Sequence, residues 1–582
     1  MSTTDITKLR RSAAHLLAMA VLELHNDAKL GTFGITDSGF YYDIEFDEPI
    51  SSDVLPAIQV KMLELVQANV KISSVQKTQN EAIAYFTEKE QPYKRETLDD
   101  SDTKKVDLIV IGENSFQDIK VGDVVESAKS LENCVLLDVS GAYWKGDDKR
   151  SMLTRISGAC FATAEELSTY QEYRIDVLRR DHRVMGKKLG YFSVDPEIGT
   201  GLVFWSPRGR YVRDVIAGLI KSRMFQLGAE MVETPMLGNS NEIRLITQPQ
   251  NEQIIAKSLS EEGEHWYAIR QQVIGSHLRM FSWKERSYRD LPWRVGEIAK
   301  VIRYEKMSEL EGLHRTREIT QDTITIACTH EQIEKEVEIL VQIIVQFARD
   351  LGFPDFELHL RLPDAISKAD NGEATFLSGL FKTISRRQSV TIIEDAAGRQ
   401  VSEVELVLIV KDSLRQHREW SKIQLLFKFP LEQQLTYMGK DGELHAPVVI
   451  RATIAGSLER VIATLIEHYA GVLPLWLTYE HARVIPVTSQ QELYAEKIVK
   501  QLTERGIHAT TDLTSEPLEG KIKQAEEEKV PYMLVVGEKE QATDGVSVRV
   551  QGHGDIGLLD METFIKDIQG EVQSKSIKSS FV

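Results

Sequence analysis

Apolar residues recur at two different spacings along this chain, and the spacing changes from one region to the next. Residues 8–24 and 51–68 carry apolar side chains at helical spacing, whereas GFYYDIEF (39–46) is typical of a strand. From residue 482 onward short β-like runs alternate with helical ones, which predicts a parallel or mixed sheet flanked by helices. The middle of the chain has non-sequential strands with helices on one side, and it predicts a mostly antiparallel α+β sheet.

Residues 301–328, VIRYEKMSELEGLHRTREITQDTITIAC, contain two β-like runs joined by a short charged loop. Because alternate residues of a strand share a face, Arg303 and Glu305 are expected to project together. The return run places on one face Arg315, Arg317, Ile319, Gln321, Thr323 and Thr325. Guanidinium groups bind phosphate bidentately and a carboxylate accepts from an exocyclic amine, so this face can hold a nucleotide. An exposed hairpin crossed by salt bridges would show the same pattern.

A second candidate element is the stretch 455–471, AGSLERVIATLIEHYAG. Its apolar residues recur at helical spacing, and Gly471 is a plausible C-cap. Gly456 and Ser457 open the predicted helix, with Arg460 in its first turn. Small residues at a helix start let a phosphate approach backbone N–H groups, and an arginine adds positive charge.

Composition describes a globular chain of 582 residues, 42% of them hydrophobic, a length that suits three or four domains. No apolar run approaches the roughly 20 residues that a membrane span requires, and no signal-peptide pattern opens the chain, so we expect a cytoplasmic protein without a membrane partner. Three dispersed cysteines (Cys134, Cys160 and Cys328) are typical of buried thiols rather than of a disulfide framework or a zinc site.

The net charge of −18 argues weakly against nucleic acid as a partner. Local patches matter more than the sum, and three basic stretches interleave arginine or lysine with aromatic or apolar residues: 149–155, 179–188 and 283–294. A solvated surface would account for any one of them equally well.

Longer motifs resemble one family. A strand pair with Arg-x-Glu, a helix opening Gly-Ser-Leu-Glu-Arg, and an earlier helix (about 211–227) followed by Pro235 resemble the three motifs of class II aminoacyl-tRNA synthetases. The sequences DHRVMGKKLGYF, SYRDLPWRVGEIAKVIRYE, GLHRTREITQD and GSLERVIATLIEHYAG are similar to threonyl-tRNA synthetases. The resemblance extends through both flanks, but without the N-terminal TGS-type domain of the family.

That resemblance implies an α+β fold with a class II antiparallel core. It implies an editing-like α+β domain over 1–180, a catalytic domain over 181–475 and an α/β anticodon-binding domain over 476–582. It also implies ATP and Mg as cofactors, tRNA (threonine tRNA in the family) as partner, and a homodimer formed through the helix before Pro235.

Carried over residue by residue, the resemblance retains the ATP side of the site. Arg303 takes the place of the α-phosphate arginine and is the expected catalytic residue, and Glu305 takes that of the adenine-edge glutamate. Arg315 corresponds to the γ-phosphate arginine and Arg460 to the motif 3 arginine. Ile319 replaces the phenylalanine that stacks on adenine. Gly456 and Ser457 complete the expected ATP-binding set.

The amino-acid side of the site has changed. The family's zinc ligands, one cysteine and two histidines, are replaced by Ile274, Thr325 and Arg451, so no zinc is expected. The expected substrate-pocket residues are Gln321, Thr323, Glu405, Glu419 and Gln424, of which only the two glutamines are kept. Glu405 replaces a lysine and Lys422 a threonine. The stretches 238–266 and 357–376 also depart from the family, which indicates a rewritten specificity pocket.

Two further sites follow from the resemblance. In the editing-like domain His15 is kept, but the second histidine position is Met19; Asp118 survives, while the expected cysteine and histidine are Lys120 and Val124. We expect the fold without the hydrolysis. In the last domain, anticodon-reading positions correspond to Glu540 and Arg549, with Ser515 in place of an asparagine.

Two hypotheses therefore remain. One is an ATP-dependent enzyme that adenylates an amino acid, without zinc-based threonine selection, and passes it to tRNA or another acceptor. Glu405 would then favour a substrate with an extra positive charge. The other is a non-catalytic tRNA-binding or regulatory paralogue. The retained arginines favour the first hypothesis, and the eroded substrate and editing positions favour the second.

Overall fold

The computed structural model describes residues 3–48, 50–113, 115–147, 149–239, 255–260, 263–363, 372–395 and 401–582. The chain divides into two compact units, Met1–Asp176 and Val177–Val582. Parts of the two divergent stretches, residues 240–254 and 364–371, lie outside the described residues. Within the described residues no helix combines the length and the apolar character that a membrane crossing requires.

The described residues of the first unit form two antiparallel sheets and four complete helices. One sheet has the order β1-β2-β7-β6 and the other β3-β4-β5. The strands are β1 (Lys29–Ile35), β2 (Gly39–Glu45), β3 (Ile72–Thr78), β4 (Lys105–Ile111), β5 (Phe116–Ile119), β6 (Cys134–Tyr143) and β7 (Met152–Cys160). The helices are α1 (Thr3–Leu24), α2 (Leu55–Gln67), α3 (Gln79–Glu88) and α4 (Pro92–Asp99), and α1 and α2 pack their apolar faces into the main core. A further helix, α5 (Ala164–Arg180), crosses the division between the units.

The cysteines of this unit correct the sequence-based expectation. Cys134 and Cys160 lie directly opposite on the antiparallel strands β6 and β7, with Cα atoms 4.2 Å apart, and they form a disulfide. The two cysteines are 26 residues apart in sequence, so their spacing did not indicate the pairing. Cys328 is a buried thiol, as expected, and burial raises its pKa to about 12.

The second unit is built on an eight-stranded sheet with the order β10-β14-β15-β22-β19-β18-β16-β17. Only the edge pairs β10/β14 and β16/β17 are parallel, so the predicted antiparallel α+β core is confirmed. Its strands are β10 (Glu230–Met231), β14 (Trp293–Ile302), β15 (Glu318–Cys328), β16 (Phe356–Arg361), β17 (Ile392–Glu394), β18 (Val404–Lys411), β19 (His417–Leu426) and β22 (Val448–Thr453).

Helices cover this sheet and supply its core. They are α6 (His182–Lys188), α7 (Pro207–Gln226), α8 (Ile274–Phe281), α9 (Ile333–Asp350), α10 (Gly372–Gln388), α11 (Phe429–Glu432) and α12 (Leu458–His468). The largest apolar cluster joins α7, α9 and α12 to the sheet, because each helix turns its apolar stripe inward. Smaller sheets complete this region: β8 (Phe192–Ser193) with β9 (Phe204–Trp205), β11 (Leu237–Asn239) with β13 (Gly263–Ile269) and β12 (Ile255–Ser260), and β20 (Tyr437–Met438) with β21 (Leu444–His445).

The C-terminal part of the second unit is a mixed five-stranded sheet in the order β24-β23-β25-β26-β27, as predicted. Its strands are β23 (Ala482–Pro486), β24 (Ala509–Thr511), β25 (Tyr532–Val536), β26 (Gly545–Val550) and β27 (Gly554–Asp560). The helices are α13 (Glu492–Glu504), α14 (Leu518–Glu527), α15 (Glu538–Thr543) and α16 (Met561–Ser574).

Helix α7 starts earlier than predicted and touches the C-terminal part at its first turns. Ser206 caps it by accepting from the Gly209 N–H, and Pro207 occupies the first position. The Arg208 Nη1 donates to the carbonyl of Glu528 at 3.2 Å, and the ring of Tyr211 lies 5.2 Å from that of His508.

Candidate active site

A cavity of about 330 Å³ opens on one face of the eight-stranded sheet, and we call it the sheet cavity. Strands β15, β18, β19 and β22, the loop before α12 and the residues after β14 all contribute to its lining. The lining residues are Gln271, Gln272, Arg303, Ile319, Gln321, Val407, Glu419, Trp420, Ser421, Lys422, Gln424, Arg451, Ala452, Thr453, Gly456, Ser457 and Arg460. Most of the residues predicted for ATP and substrate binding therefore meet in one place.

The loop before α12 is held by a buried carboxylate. Asp322 on β15 accepts from the N–H groups of Ile454, Ala455 and Gly456, the last at 2.8 Å. Gly456 adopts φ +75°, and a Cβ there would lie 2.6 Å from the Trp420 carbonyl oxygen. This position therefore requires glycine, and the tight turn leaves the start of α12 open to the cavity.

Ser457 caps α12 by accepting from the Arg460 N–H at 3.3 Å. Glu459 in the first turn is buried and accepts from the Thr320 N–H at 2.8 Å, which ties the helix to β15. The predicted helix start is thus found at the cavity wall.

Two of the predicted arginines face the cavity from different segments. Arg303, directly after β14, donates to the amide oxygen of Gln321 at 3.3 Å. Arg460 makes only long hydrogen bonds, to the carbonyls of His314 and Glu419 at 3.4 and 3.3 Å. Burial lowers the pKa of both guanidinium groups, and for Arg303 the neighbouring charge of Arg460 lowers it further. An anion would relieve both penalties.

Arg451 on β22 is a third cation in the same cavity. Its Nη1 donates to the amide oxygens of Gln272 and Gln424 at 3.0 and 3.4 Å. Its Nε is buried and donates to no atom of the described residues. Burial, and then the charge of Arg303, lower its pKa to about 10, against the opposing effect of Glu405.

Glu305 and Arg315 do not reach the lining. Strand β14 ends at Ile302 and β15 begins at Glu318, so both residues lie in the long connection rather than on strand faces. The Arg315 Nε donates to Glu305 at 2.6 Å and its Nη2 to Glu309 at 3.1 Å. The predicted strand alternation was wrong here because charged residues at alternate positions in a loop imitate a strand.

Glu405 is also absent from the lining, and its charge is already neutralised. Lys422 donates to one carboxylate oxygen at 2.9 Å and Gln424 to the other at 2.7 Å. Glu405 therefore gives no reason of its own to expect a substrate with an extra positive charge, and the charge of the substrate stays a prediction. Glu419 lines the cavity but accepts from Arg361 at 2.6 Å.

The chain is similar to proteins of known sequence and structure. Residues 257–469 match the family described as tRNA synthetase class II core domain (G, H, P, S and T), and residues 481–571 match the anticodon binding domain family. The threonine–tRNA ligase of Thermus thermophilus is 34% identical over 99% of this chain and 90% of its own length. This chain belongs to the threonyl-tRNA synthetase family.

Other relatives agree. The threonine–tRNA ligase of Magnetococcus marinus is 33% identical over 98% of this chain and 88% of its own length. A solved structure, the RNA binding domain of threonyl-tRNA synthetase from Cryptosporidium parvum, covers 69% of this chain and 100% of its own, with a TM-score of 0.60 and 26% identity.

The positions that correspond to zinc ligands in threonyl-tRNA synthetases do not suit a cation. Ile274 is buried in an apolar cluster with Leu278 and Phe281. Thr325 lies 2.9 Å from the Nδ1 of His277, and Arg451 carries a positive charge. Thr323, on the same face of β15, is buried behind the cavity, and its hydroxyl has no partner among the described residues.

Among the described residues, one other cluster has the spacing of a metal site: His182, His314 and Glu467. The sequence had suggested no such cluster. His182 uses both ring nitrogens, one 2.7 Å from Glu467 and the other accepting from the Leu313 N–H at 2.9 Å. Glu467 also accepts from Arg418 at 3.1 Å. The cluster is therefore a hydrogen-bond network inside the fold of this threonyl-tRNA synthetase relative.

In the first unit, which the resemblance predicts to be editing-like and which we call the editing-like unit, His15 and Asp118 meet in a buried network. The His15 Nδ1 and the Tyr42 hydroxyl lie 2.8 and 2.6 Å from one oxygen of Asp118, and the Lys94 Nζ lies 2.7 Å from the other. Burial opposes ionisation of Asp118, but Lys94 and then His15 hold its pKa well below the usual range. Partners within the unit therefore occupy both carboxylate oxygens of Asp118.

Of the predicted anticodon residues, Glu540 lies in α15 and Arg549 lies on β26. Glu540 accepts from the Ser547 hydroxyl at 2.8 Å and from the Gly537 N–H at 2.9 Å. Arg549 follows Ser547 by two positions on the strand, and its Nε has no partner among the described residues. Ser515 is exposed in the connection between β24 and α14.

Sequence reasoning missed Asp322, Gln272 and Lys422. Asp322 lies between two residues assigned to the ligand face, so alternation assigned it to the opposite side and gave it no role. Its dense set of backbone partners comes from a loop more than 130 residues away. Lys422 was noted only as a substitution, although a new lysine and a new glutamate on neighbouring strands are a pairing signal.

Proposed function

We propose that this chain is an ATP-dependent aminoacyl-tRNA synthetase that adenylates an amino acid without zinc and transfers it to tRNA. The observation that carries the proposal is the meeting of Arg303, Ile319 and Arg460 in one cavity, although they come from three separate segments. A purely structural ion-pair network would place carboxylates beside these arginines. Arg303 and Arg460 make no such pairs in the described part of the chain.

The roles follow from the positions. Arg303 binds the α-phosphate and stabilises the charge that develops there during adenylation. Ile319 covers the adenine ring without the aromatic stacking of ~0.5–1.5 kcal/mol. Arg460 and the open start of α12, at Gly456 and Ser457, accept phosphate oxygens. Mg enters with ATP, and the oxygen atoms of Glu419 in the lining are of the type it prefers.

Glu305 and Arg315 form an ion pair with each other outside the cavity lining. If these residues read the adenine edge and the γ-phosphate, ATP must compete for an ion pair that is already formed at 2.6 Å. An exposed pair of this kind contributes about 0–1 kcal/mol, so the nucleotide can open it at low cost.

The partners are also part of the proposal. Glu540 and Arg549 present a polar face for tRNA on the C-terminal sheet, and threonine tRNA is the first candidate. A homodimer forms near the end of α7, where large apolar side chains are exposed: Phe225 (78%), Met231 (43%), Met236 (40%) and Leu237 (45%). A cytoplasmic location stays a prediction. Light scattering at micromolar concentration tests the dimer, and elemental analysis tests the absence of zinc.

The decisive experiment is ATP–pyrophosphate exchange on the full chain with each of the twenty amino acids. Exchange with one or a few of them supports adenylation. ATP binding by calorimetry without exchange would favour the second candidate, a non-catalytic tRNA-binding or regulatory paralogue. That candidate is favoured by Ile274 and Thr325, which occupy the former zinc positions with packing and hydrogen-bond contacts of their own.

A further inference from the structure

A row of four side chains crosses the sheet beside the sheet cavity, and two of them, Gln424 and Arg451, line it. Register places Thr325 opposite Arg451, Arg451 opposite Gln424, and Gln424 opposite Glu405 on four adjacent strands. Directly paired residues of adjacent strands project to the same side of a sheet, so this row forms one continuous polar floor. Arg451 is the cation in the middle of that floor.

Neighbouring amides orient Arg451. Gln424 uses its amide nitrogen on Glu405, which leaves its oxygen as an acceptor for Nη1 of Arg451. Gln272 accepts from the same Nη1. The guanidinium is therefore held at one nitrogen, by two neutral acceptors, and keeps its full charge.

The other edge of the guanidinium has no partner among the described residues. Nε and Nη2 together form the fork that binds a carboxylate with two parallel hydrogen bonds, as Arg155 binds Asp43 elsewhere in this chain at 2.7 and 2.9 Å. For Arg451, neither atom donates to any described residue, and Nε is buried. A buried charged donor without an acceptor is costly unless a ligand supplies one.

The carboxylates near Arg451 do not compensate for it. Glu405 is bound by Lys422 and Gln424, and Glu419 accepts from Arg361. The described charged residues of the lining are three arginines and one lysine against one glutamate. Under the proposed function ATP takes Arg303 and Arg460, and Arg451 remains as a further cation of the same lining.

We propose that Arg451 binds a second carboxylate of the substrate, so that the site takes an acidic amino acid in place of threonine. This inference rests on the proposed adenylation. In that reaction an α-carboxylate oxygen forms a bond to the α-phosphorus, and the bond to the pyrophosphate oxygen breaks, which releases pyrophosphate. The side-chain carboxylate takes no part and stays on the fork of Arg451. The α-ammonium has an acceptor in the same lining, the amide oxygen of Gln321.

Pairs of isosteres test the proposal on the full chain. We expect pyrophosphate exchange with L-aspartate or L-glutamate to exceed that with L-asparagine or L-glutamine by tenfold or more, roughly the value of one charged bidentate contact. Arg451→Gln should remove this preference without weakening ATP binding, and Arg451→Lys should restore part of it. Arg210→Gln, an exposed arginine paired with Asp214, is the matched control and should leave the preference unchanged.

The outcomes separate the inference from the proposed function. Exchange that runs with threonine or with the amides as fast as with the acids overturns the inference and leaves adenylation intact. If no amino acid gives exchange, calorimetry with L-aspartate and L-glutamate decides. If L-aspartate or L-glutamate binds and Arg451→Gln abolishes that binding, a pocket for an acidic amino acid is supported although adenylation fails. If neither binds, the inference and the proposed function are both overturned.

Discussion

Buried charges are treated in opposite ways in the editing-like unit and in the sheet cavity. In the first unit Asp118 is surrounded by His15, Tyr42 and Lys94, so its charge is satisfied within the fold. In the sheet cavity Arg303, Arg451 and Arg460 have amide or carbonyl acceptors and no carboxylate partner among the described residues. The first arrangement stabilises a fold, whereas the second awaits a ligand.

The difference shows how a retained motif residue should be interpreted. His15 and Asp118 were predicted as editing positions from the resemblance, yet their contacts are explained by packing and charge compensation. Arg303 and Arg460 were predicted as ATP positions, and no described carboxylate pairs with either charge. Uncompensated charge is therefore a better guide to function here than residue identity.

The largest expected effect concerns the buried network around Asp118. Lys94→Met should destabilise the first unit by about 3–5 kcal/mol, because it leaves the Asp118 carboxylate buried without its cation. Chemical denaturation followed by circular dichroism measures this change. Lys89→Met, at an exposed position close by, is the control and should change stability by less than ~0.5 kcal/mol. Equal effects of the two substitutions would remove the contrast between the regions.

In the sheet cavity, Arg303→Ala should affect rate rather than stability. We expect pyrophosphate exchange to fall by about 10²–10³-fold, with a smaller change in ATP affinity, because the α-phosphate gains charge in the transition state. Exchange kinetics and calorimetry separate the two quantities, with Arg210→Ala as control. Exchange that survives the substitution would show that the catalytic position is wrongly assigned.

His481 is a third buried titratable group, and the fold keeps it neutral. Burial and then the charge of His508 lower its pKa to about 4. The unfolded chain binds a proton near pH 6.5, so stability from this group is present above that pH and is lost as pH falls toward 4. By pH 5 the loss should be about 2 kcal/mol.

Denaturation of the parent and of His481→Gln at pH 7 and pH 5 measures this contribution. The difference in stability between the two pH values should be smaller in the variant by the amount stated. An unchanged pH dependence would show that His481 is protonated in the folded protein.

The smallest effect is expected at the C-terminal sheet. The Nε of Arg549 has no partner among the described residues, whereas the carboxylate of Glu540 is hydrogen-bonded. Arg549→Ala should weaken tRNA binding by about 1–3 kcal/mol, and Glu540→Gln should weaken it less. Gel retardation at low salt, where phosphate contacts are strongest, compares the variants. If tRNA retards neither the parent nor the variants, the sheet has only a structural role.

The fold could be predicted from the sequence because the spacing of apolar residues indicates long amphipathic helices and alternating strands. The motifs indicated the family. Local detail was harder. Ser206 and Pro207 are a helix-start signal that lies ahead of the apolar period of α7, so that helix was predicted four residues short. The pairing of Cys134 with Cys160 and that of Glu405 with Lys422 depend on strand register, which one sequence does not show.

The candidate site was predictable in membership but not in charge balance. Identity alone placed Arg303 and Arg460 together, and the structure brings them into one cavity. Whether each charged residue is balanced depends on partners from distant parts of the chain: Arg361 pairs with Glu419, whereas Arg451 finds only the neutral amide of Gln272 and that of Gln424. These contacts reversed the interpretation of the pocket from acidic to basic.

Helix α7 also has a mechanical consequence. Its 20 residues form a rod about 30 Å long. Arg208 and Tyr211 hold its first turns against the C-terminal part, and Phe225 lies at its other end on the surface proposed for the dimer. A rotation of the C-terminal sheet must therefore break the contacts of Arg208 and Tyr211, or the rod transmits it as a lever to the surface around Phe225.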